Sequence, residues 1–482
     1  MLQYLILLPL AGAIASYLAG RCSSSAPRVV ALGVSLVTLS MAWLTLRAAP
    51  AQGFMREQLT LRWIPTLDIS FALGADALSA ALVALTALLF LVSVLASWGV
   101  EHRAGSYHAY LLCMLAGLMG VFTALDLFLF FLFWEIVLIP AFMLVNGWGG
   151  ENRKYAAMKL LIYTHLGSLL MLVGFLLMYA KVHTFSMLEM RQLLSTGSLE
   201  YRTLVFLLVF AGFAFKIPLV PFHSWLPDAY TQAPTPVTIL LAGVLSKMGA
   251  YGLVRVALGI LPAEFAVFAK LIAVMALVSV FYAAFCALAQ EDVKRLLAFS
   301  SLSHMGFLVL GVASLSAIGM KGAIFQMVSH GLIIALLFFC AGMLASRGYS
   351  LRISRLGGVL RSSPLLGWVI VFASLASLGL PGLSGFVAEL SILLGLFSGF
   401  PALAGIAVLS LALTAGYYLW FLQRSIFGGS AGLRKGGVAL VELVPVALLV
   451  LLITLLGVYP APFMELVNGI AGQLVNAVAG GA

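Results

Sequence analysis

The sequence predicts an all-α polytopic membrane protein of about fourteen transmembrane helices, two of them, spans seven and twelve, broken midway. Three observations carry that prediction. Of 482 residues, 63% are hydrophobic and only 9% are charged, a balance that soluble domains do not hold. The apolar runs recur at the length a bilayer core demands, roughly 20 residues. Two of the runs are interrupted, at Ile217-Pro218-Leu219-Val220-Pro221 and at Gly379-Leu380-Pro381-Gly382. Proline removes a backbone N–H that lipid cannot replace, so breaks at membrane depth survive only inside protein or around a wet cavity. The chain reads as a single membrane domain, 1–482, with no appended globular part.

In chain order the spans fall near 2–20, 28–47, 76–99, 107–124, 126–147, 154–180, 202–226, 235–259, 264–289, 292–313, 316–346, 364–398, 401–427 and 438–459. Met1 to Gly20 is apolar without a basic leader region, so it reads as the first span and not as a cleaved signal. Between spans two and three, Leu59, Leu61, Trp63 and Ile69 recur within Glu57 to Phe71, which predicts a short surface hairpin. Ser186 to Leu194 reads as an amphipathic helix lying on the membrane. The longest polar link, Arg347 to Ser363, carries four arginines. After Tyr459-Pro460 one short amphipathic stretch is expected.

The net charge of +10 reflects topology and not nucleic-acid binding, because the basic residues sit mostly in short loops. With alternate loops from the first assigned to the cytoplasm, that side holds fourteen Lys and Arg, including Arg434 and Lys435, against nine on the other. Arg255 is counted in an outer loop. The bias places both termini outside the cytoplasm. The three remaining basic residues, Lys159, Lys216 and Lys247, lie within spans. The four cysteines, Cys22, Cys113, Cys286 and Cys340, are scattered and form no CxxC pair, so neither an iron–sulfur cluster nor a zinc site is expected, and no cofactor is assigned to this chain.

An ionised group at mid-membrane costs roughly 3 kcal/mol or more, so each one is a functional hypothesis. Lys216 ends an apolar run directly before the first break, and Glu389 follows the second. Paired interrupted helices in two halves of a chain point to an inverted-repeat transporter; the breaks lie five spans apart, an odd number, so the units around them would have opposite topology. Glu135 precedes both in span five, and between them lie Lys247 in span eight, His304 in span ten and His330 in span eleven. Carboxylates, lysines and histidines in series can pass protons, since moving a partner changes a buried lysine's charge state. Blander readings stand beside these. Glu135 can serve as a structural partner between helices, and His304 and His330, flanked by serines, as satisfied core histidines. Glycines at 243 and 249 are explained by close helix packing, but Lys247 is not. Lys159 reads as snorkelling to the basic loop at Arg153, and His165 as structural. His223, after Pro221, is a candidate water-organising group.

At these residues the chain resembles the antiporter-like subunits of respiratory complex I, NADH:quinone oxidoreductase, of the M or chain 4 type. The resemblance covers nearly the whole chain. Its most specific pieces are Phe133-Trp134-Glu135, Trp148-Gly149-Gly150-Glu151-Asn152-Arg153, Phe215-Lys216-Ile217-Pro218, His223-Ser224-Trp225-Leu226-Pro227-Asp228, Gln232-Ala233-Pro234-Thr235, Lys247-Met248-Gly249, Ser303-His304-Met305-Gly306 and Leu380-Pro381-Gly382. It implies two inverted five-helix repeats, 107–259 (spans four to eight) and 264–427 (spans nine to thirteen). It also implies roles: Glu135 and Lys216 as a coupling pair, Lys247 as the central relay, His304 and His330 as further links, Glu389 as the terminal group. Sister subunits usually carry lysine at the last position, so glutamate at 389 favours the M type. The implied activity is proton translocation coupled to quinone reduction elsewhere in a complex. The implied partners are the other membrane-arm subunits, the lipid bilayer of a bacterial inner membrane, and protons. Two other classes remain: a subunit of a multi-subunit cation/proton antiporter, and a membrane component of an ion-pumping hydrogenase or of a ferredoxin-accepting photosynthetic relative.

Overall fold

The computed structural model describes residues 1–49, 56–196, 201–428 and 438–479. Arg434 and Lys435, used in the charge count, lie outside the described residues. Among the described residues twelve helices are long and apolar enough to cross a membrane: Leu2–Ala19, Ala26–Ala48, Ala77–Ala96, Ala104–Thr123, Leu127–Trp148, Arg153–Val182, Thr235–Leu258, Pro262–Leu288, Val293–Ala313, Ala317–Ser346, Pro401–Ile426 and Leu440–Val458. The other two crossings are assembled from halves. Span seven is Arg202–Lys216 followed by Trp225–Gln232, and span twelve is Pro364–Ser377 followed by Ser384–Gly399. The interrupted sequences therefore give the interrupted helices.

Two of the freed backbone groups at the first break are satisfied by protein, as a water-free bilayer core requires. The Phe215 carbonyl accepts the indole N–H of Trp225 at 2.9 Å, and the Val220 N–H donates to Ser279 Oγ of span nine, also at 2.9 Å. At the second break Gly379 and Gly382 have φ of +79° and +91°, a backbone region that side chains disfavour. Spans eight, ten and eleven form the centre of the bundle, while the outer faces of spans one, two, six and fourteen are exposed.

The hairpin is present as an antiparallel pair, Arg56–Ile64 with Ile69–Ala75. The surface helix spans Met187–Thr196. The Arg347–Ser363 link folds into a 3-10 turn, Ile353–Arg355, and a short helix, Val359–Ser362. One expectation needed revision. The chain after Tyr459 makes two helices, Ala461–Leu466 and Asn468–Ala479, with Val467 between them.

The two halves share one local device. Asp126 caps span five through Oδ1, which accepts the N–H groups of Phe128 and Leu129 at 2.8 and 3.0 Å. Beside it the Leu127 N–H donates to the Phe185 carbonyl and the Met187 N–H to the Leu125 carbonyl, pinning the chain that follows span six. Asp292 caps span ten, accepting the Arg295 N–H at 3.0 Å. There the Val293 N–H donates to Leu351 and the Ile353 N–H to Glu291, pinning the chain that follows span eleven. The bridged pairs are Asp126 with Ser186 and Asp292 with Arg352, so both members shift by the same 166 positions. Five crossings separate the two staples, which puts them on opposite faces of the membrane.

Candidate functional site

Span eight is not a uniform helix. Two π-helical segments, Leu241–Leu245 and Leu253–Leu258, flank the α-helical Ser246–Gly252 that carries Lys247. Widened turns of this kind often mark functional positions. Here the first of them presents the Ala242 carbonyl to the Lys247 ammonium at 2.6 Å. Lys247 is fully buried, and its Nζ also lies 2.7 Å from His330 Nδ1 of span eleven. The crossing that brings them together is made of glycine. A Cβ added at Gly331 would stand 2.8 Å from Leu85 Cδ2 and 3.0 Å from the Gly243 carbonyl oxygen.

From His330 the row continues. Its ring centre is 5.4 Å from that of His304 in span ten. The Nδ1 of His304 is 3.4 Å from Glu389 Oε1, and its Nε2 is 3.1 Å from Ser377 Oγ. Ser377 ends the first half of span twelve and Glu389 lies in the second, so the break is what lets both reach one histidine. A Cβ at Gly379 would fall 2.5 Å from Glu389 Oε2, so the carboxylate rests against the bare backbone of the break. Lys247, His330, His304 and Glu389 thus form one contiguous buried row across four helices.

Glu135 and Lys216 do not meet directly. Glu135 Oε2 is 2.9 Å from His165 Nδ1, so His165 is a partner of the acid and not merely structural. Lys216, about 1% exposed, has no hydrogen-bond partner; its Nζ sits 5.3 Å over the ring of Trp134, the residue before Glu135. A desolvated ammonium gains from the negative face of an indole, and Trp134 is held in place by its N–H bond to Ser168 Oγ at 3.1 Å. The lysine therefore lies against the residue next to the acid. Gly249 of span eight packs on the chain at this point, with a notional Cβ 2.8 Å from the Ile217 nitrogen. No side-chain contact joins Lys216 to Lys247.

Three other groups fall where the sequence did not point. Lys159 does not snorkel: its Nζ is 2.7 Å from Asp228, which also holds Arg295 at 3.3 Å, tying spans six, seven and ten together. Arg255 lies in span eight and not in an outer loop, and it is ion-paired to Asp76. Ser300 Oγ joins the hydroxyls of Tyr417 and Tyr418 at 3.0 and 2.9 Å, all three buried. Adjacent tyrosines in an apolar span were the one available sign of that cluster. His223 stands in the first break, its ring centre 4.8 Å from that of Tyr282, and its Nδ1 and the neighbouring Ser224 Oγ are buried without partners. Among the described residues no three His, Cys, Asp or Glu side chains converge as metal ligands.

Comparison with known proteins bears on the family and the fold. Residues 124–414 match the model of the family described as NADH:quinone oxidoreductase/Mrp antiporter, transmembrane. The chain is 40% identical to the NADH-quinone oxidoreductase subunit M of Pseudomonas aeruginosa, covering 96% of this chain and 95% of that one. It is 38% identical to the F(420)H(2) dehydrogenase subunit M of Methanosarcina mazei, covering 92% of each. A chain of respiratory complex I from Thermus thermophilus superposes with a TM-score of 0.91 at 30% identity, over 99% of this chain and 100% of that one. A protein with fourteen crossings, two broken spans and a buried Lys–His–His–Glu row that matches such relatives end to end belongs to the NADH:quinone oxidoreductase/Mrp antiporter membrane family.

Proposed function

We propose that this chain is the antiporter-like subunit M of a complex I in the bacterial inner membrane, and that it moves protons through its buried row while the redox reaction takes place on other subunits. The observation that carries the reading is the continuity of Lys247, His330, His304 and Glu389, each within reach of the next. A lysine can give up its proton and a histidine can hold or release one, so charge can pass along the row without any side chain crossing the membrane. The complexes to which these relatives belong are named for different electron donors, NADH and F(420)H(2). Proton movement is the part they would share, and it needs partner subunits to supply the driving force.

Residues 107–259 and 264–427 are the two inverted repeats in this reading, and the twin aspartate staples support it. In the first repeat the pair Glu135–His165 joins spans five and six; in the second, His304–His330 joins spans ten and eleven. Glu135, with Lys216 beyond Trp134, is the input end; Glu389 is the output end; His223 and Ser224 order water in the first break.

The test is Lys247→Arg in the assembled complex in sealed vesicles. A guanidinium does not deprotonate in proteins, so redox-driven proton uptake is expected to stop while assembly persists. Full pumping by that variant would return Lys247 to a structural role and remove the basis of the reading.

A further inference from the structure

One link of the Lys–His–His–Glu row is a ring contact and not a hydrogen bond. Lys247 Nζ meets His330 Nδ1 at 2.7 Å, and His304 Nδ1 meets Glu389 Oε1 at 3.4 Å. Between the two histidines only the rings approach, centre to centre at 5.4 Å. An ammonium has donors and no acceptor, so with Lys247 charged His330 Nδ1 accepts and the single ring proton sits on Nε2. That nitrogen is buried without a partner. A donor left unpaired in the interior is costly, and the acceptor it would find along the row is a nitrogen of His304. Both are taken. Nδ1 faces Glu389, and Nε2 lies 3.1 Å from Ser377 Oγ.

Ser377 is itself the end of a file of hydroxyls. The Tyr418 hydroxyl has Ser377 and Ser300 as side-chain hydrogen-bond partners, the latter at 2.9 Å. Ser300 Oγ also meets the Tyr417 hydroxyl at 3.0 Å, and Tyr417 has Thr414 beyond it. All of these side chains are buried. Each hydroxyl has one proton to give. With His304 donating from Nδ1 to the Glu389 carboxylate, its Nε2 is an acceptor, so the file runs Tyr417 to Ser300, Ser300 to Tyr418, Tyr418 to Ser377 and Ser377 to His304. The two halves of span twelve are anchored differently. Ser377 closes the first half and bonds Tyr418 of span thirteen. The second half, which carries Glu389, is held to span eleven by Ser329 Oγ donating to Ser384 Oγ at 2.8 Å, one residue from His330. A shift between the halves at Gly379 and Gly382 therefore moves Ser377 relative to His304, while Glu389 stays with the helix of His330.

We propose that Ser377, set by Tyr418 and Ser300, is a latch on His304: it occupies the nitrogen that would otherwise accept the His330 Nε2 proton, and its withdrawal closes the row. The inference rests on the relay reading above and keeps Glu389 as the output end. Ser377 is a positioning residue, since it acts through His304. On release, His304 Nε2 takes the Nε2 proton of His330 as Lys247 gives a proton to His330 Nδ1, and the His304 Nδ1 proton passes to Glu389 Oε1. Lys247 ends neutral and Glu389 ends as a carboxylic acid. Each histidine gains one proton, yields one and stays neutral. When Ser377 returns it meets an N–H in place of an acceptor, so the file turns round, each hydroxyl now donating away from His304 and towards Thr414. The direction of the file thus records whether a proton has passed.

The experiment uses the assembled complex in sealed vesicles and reads two quantities together, quinone reduction and proton uptake per quinone reduced. Ser377→Ala deletes the latch hydroxyl, and Tyr418→Phe cuts the file one place further on while keeping the ring. Without the latch the row stays closed and lets protons slip back, so in Ser377→Ala uptake per quinone is expected to fall severalfold while quinone reduction continues. Tyr418→Phe is expected to act in the same direction by less. The double variant is expected to fall no further than Ser377→Ala alone, because both changes act on one hydrogen-bonded file. A packing defect would lower quinone reduction and proton uptake in step. An unchanged ratio in assembled Ser377→Ala therefore overturns the latch, as does a double variant in which the two losses add. If Ser377→Ala does not assemble, Tyr418→Phe decides by the same ratio. Lys247→Arg, run in parallel, separates the two ideas: if it stops uptake while Ser377→Ala leaves the ratio unchanged, the relay stands and the latch is wrong; if it pumps normally, the relay itself has failed.

Discussion

Gly331→Ala adds one methyl group to the crossing that holds the relay together. The new carbon would meet Leu85 Cδ2 at 2.8 Å, a flexible branch, and the Gly243 carbonyl oxygen at 3.0 Å, which is backbone. A carbon rests against a carbonyl oxygen at about 3.3–3.6 Å, so spans eight and eleven must part by about 0.3–0.6 Å. The Lys247–His330 contact, now 2.7 Å, would open to about 3.0–3.3 Å, the edge of hydrogen-bond range. Overpacking of this size costs about 1–3 kcal/mol, which lowers stability without unmaking the bundle. If an ångström of misplacement costs about a hundredfold in rate, half of that costs about tenfold. The assay is proton uptake per quinone reduced in sealed vesicles, at matched amounts of complex. Gly405→Ala is the control, since a Cβ there meets nothing within 4 Å. Gly331→Ala, Leu85→Ala together should not recover, because the carbonyl contact remains. Full pumping by Gly331→Ala would refute the idea that the Lys247–His330 distance limits transfer.

Further outcomes follow from other contacts. Trp134→Leu removes the surface on which Lys216 rests, worth about 2 kcal/mol when desolvated; coupled pumping should fall with assembly intact, and an unaltered rate would show that the indole is only packing. Glu389→Gln should abolish proton uptake in vesicles, and a normal rate would exclude it as the output group. Glu135→Gln should do the same, whereas His165→Gln, which keeps a donor beside the acid, should retain part of the rate; the reverse order would place the proton on the histidine. Asp126→Ala and Asp292→Ala each remove a cap worth about 1 kcal/mol, and thermal denaturation of the complex should show a larger loss at 126, which accepts three N–H groups against one.

The spans and their two breaks were legible because length, apolarity and proline are local properties. The titratable groups were legible one by one for the same reason: each costs too much in lipid to be incidental. Their pairing was not. Apolar spans carry almost no amphipathic signal to fix their rotation, so which of two polar groups faces a third depends on packing. Glu135 turned to His165, 30 residues away, and not to Lys216. Arg255 looked like a flanking cation because it stands near the end of its span, and its acid lies 179 residues upstream. Lys159 was read by its distance from Arg153, while its actual partner came from the far side of the first break.

The broken crossings also bear on how the chain enters the membrane. Their pieces are 15 and 8 residues in span seven, and 14 and 16 in span twelve, each short of the roughly 20 that insert unaided. The two crossings that carry Lys216 and Glu389 are thus the poorest clients of the insertion machinery, and each must enter alongside a long apolar neighbour such as span six or span eleven. A substitution that adds polarity there will be felt during biogenesis, as missing protein, before it is felt in turnover. Quantity of inserted chain therefore has to be measured beside activity for every variant at these two sites.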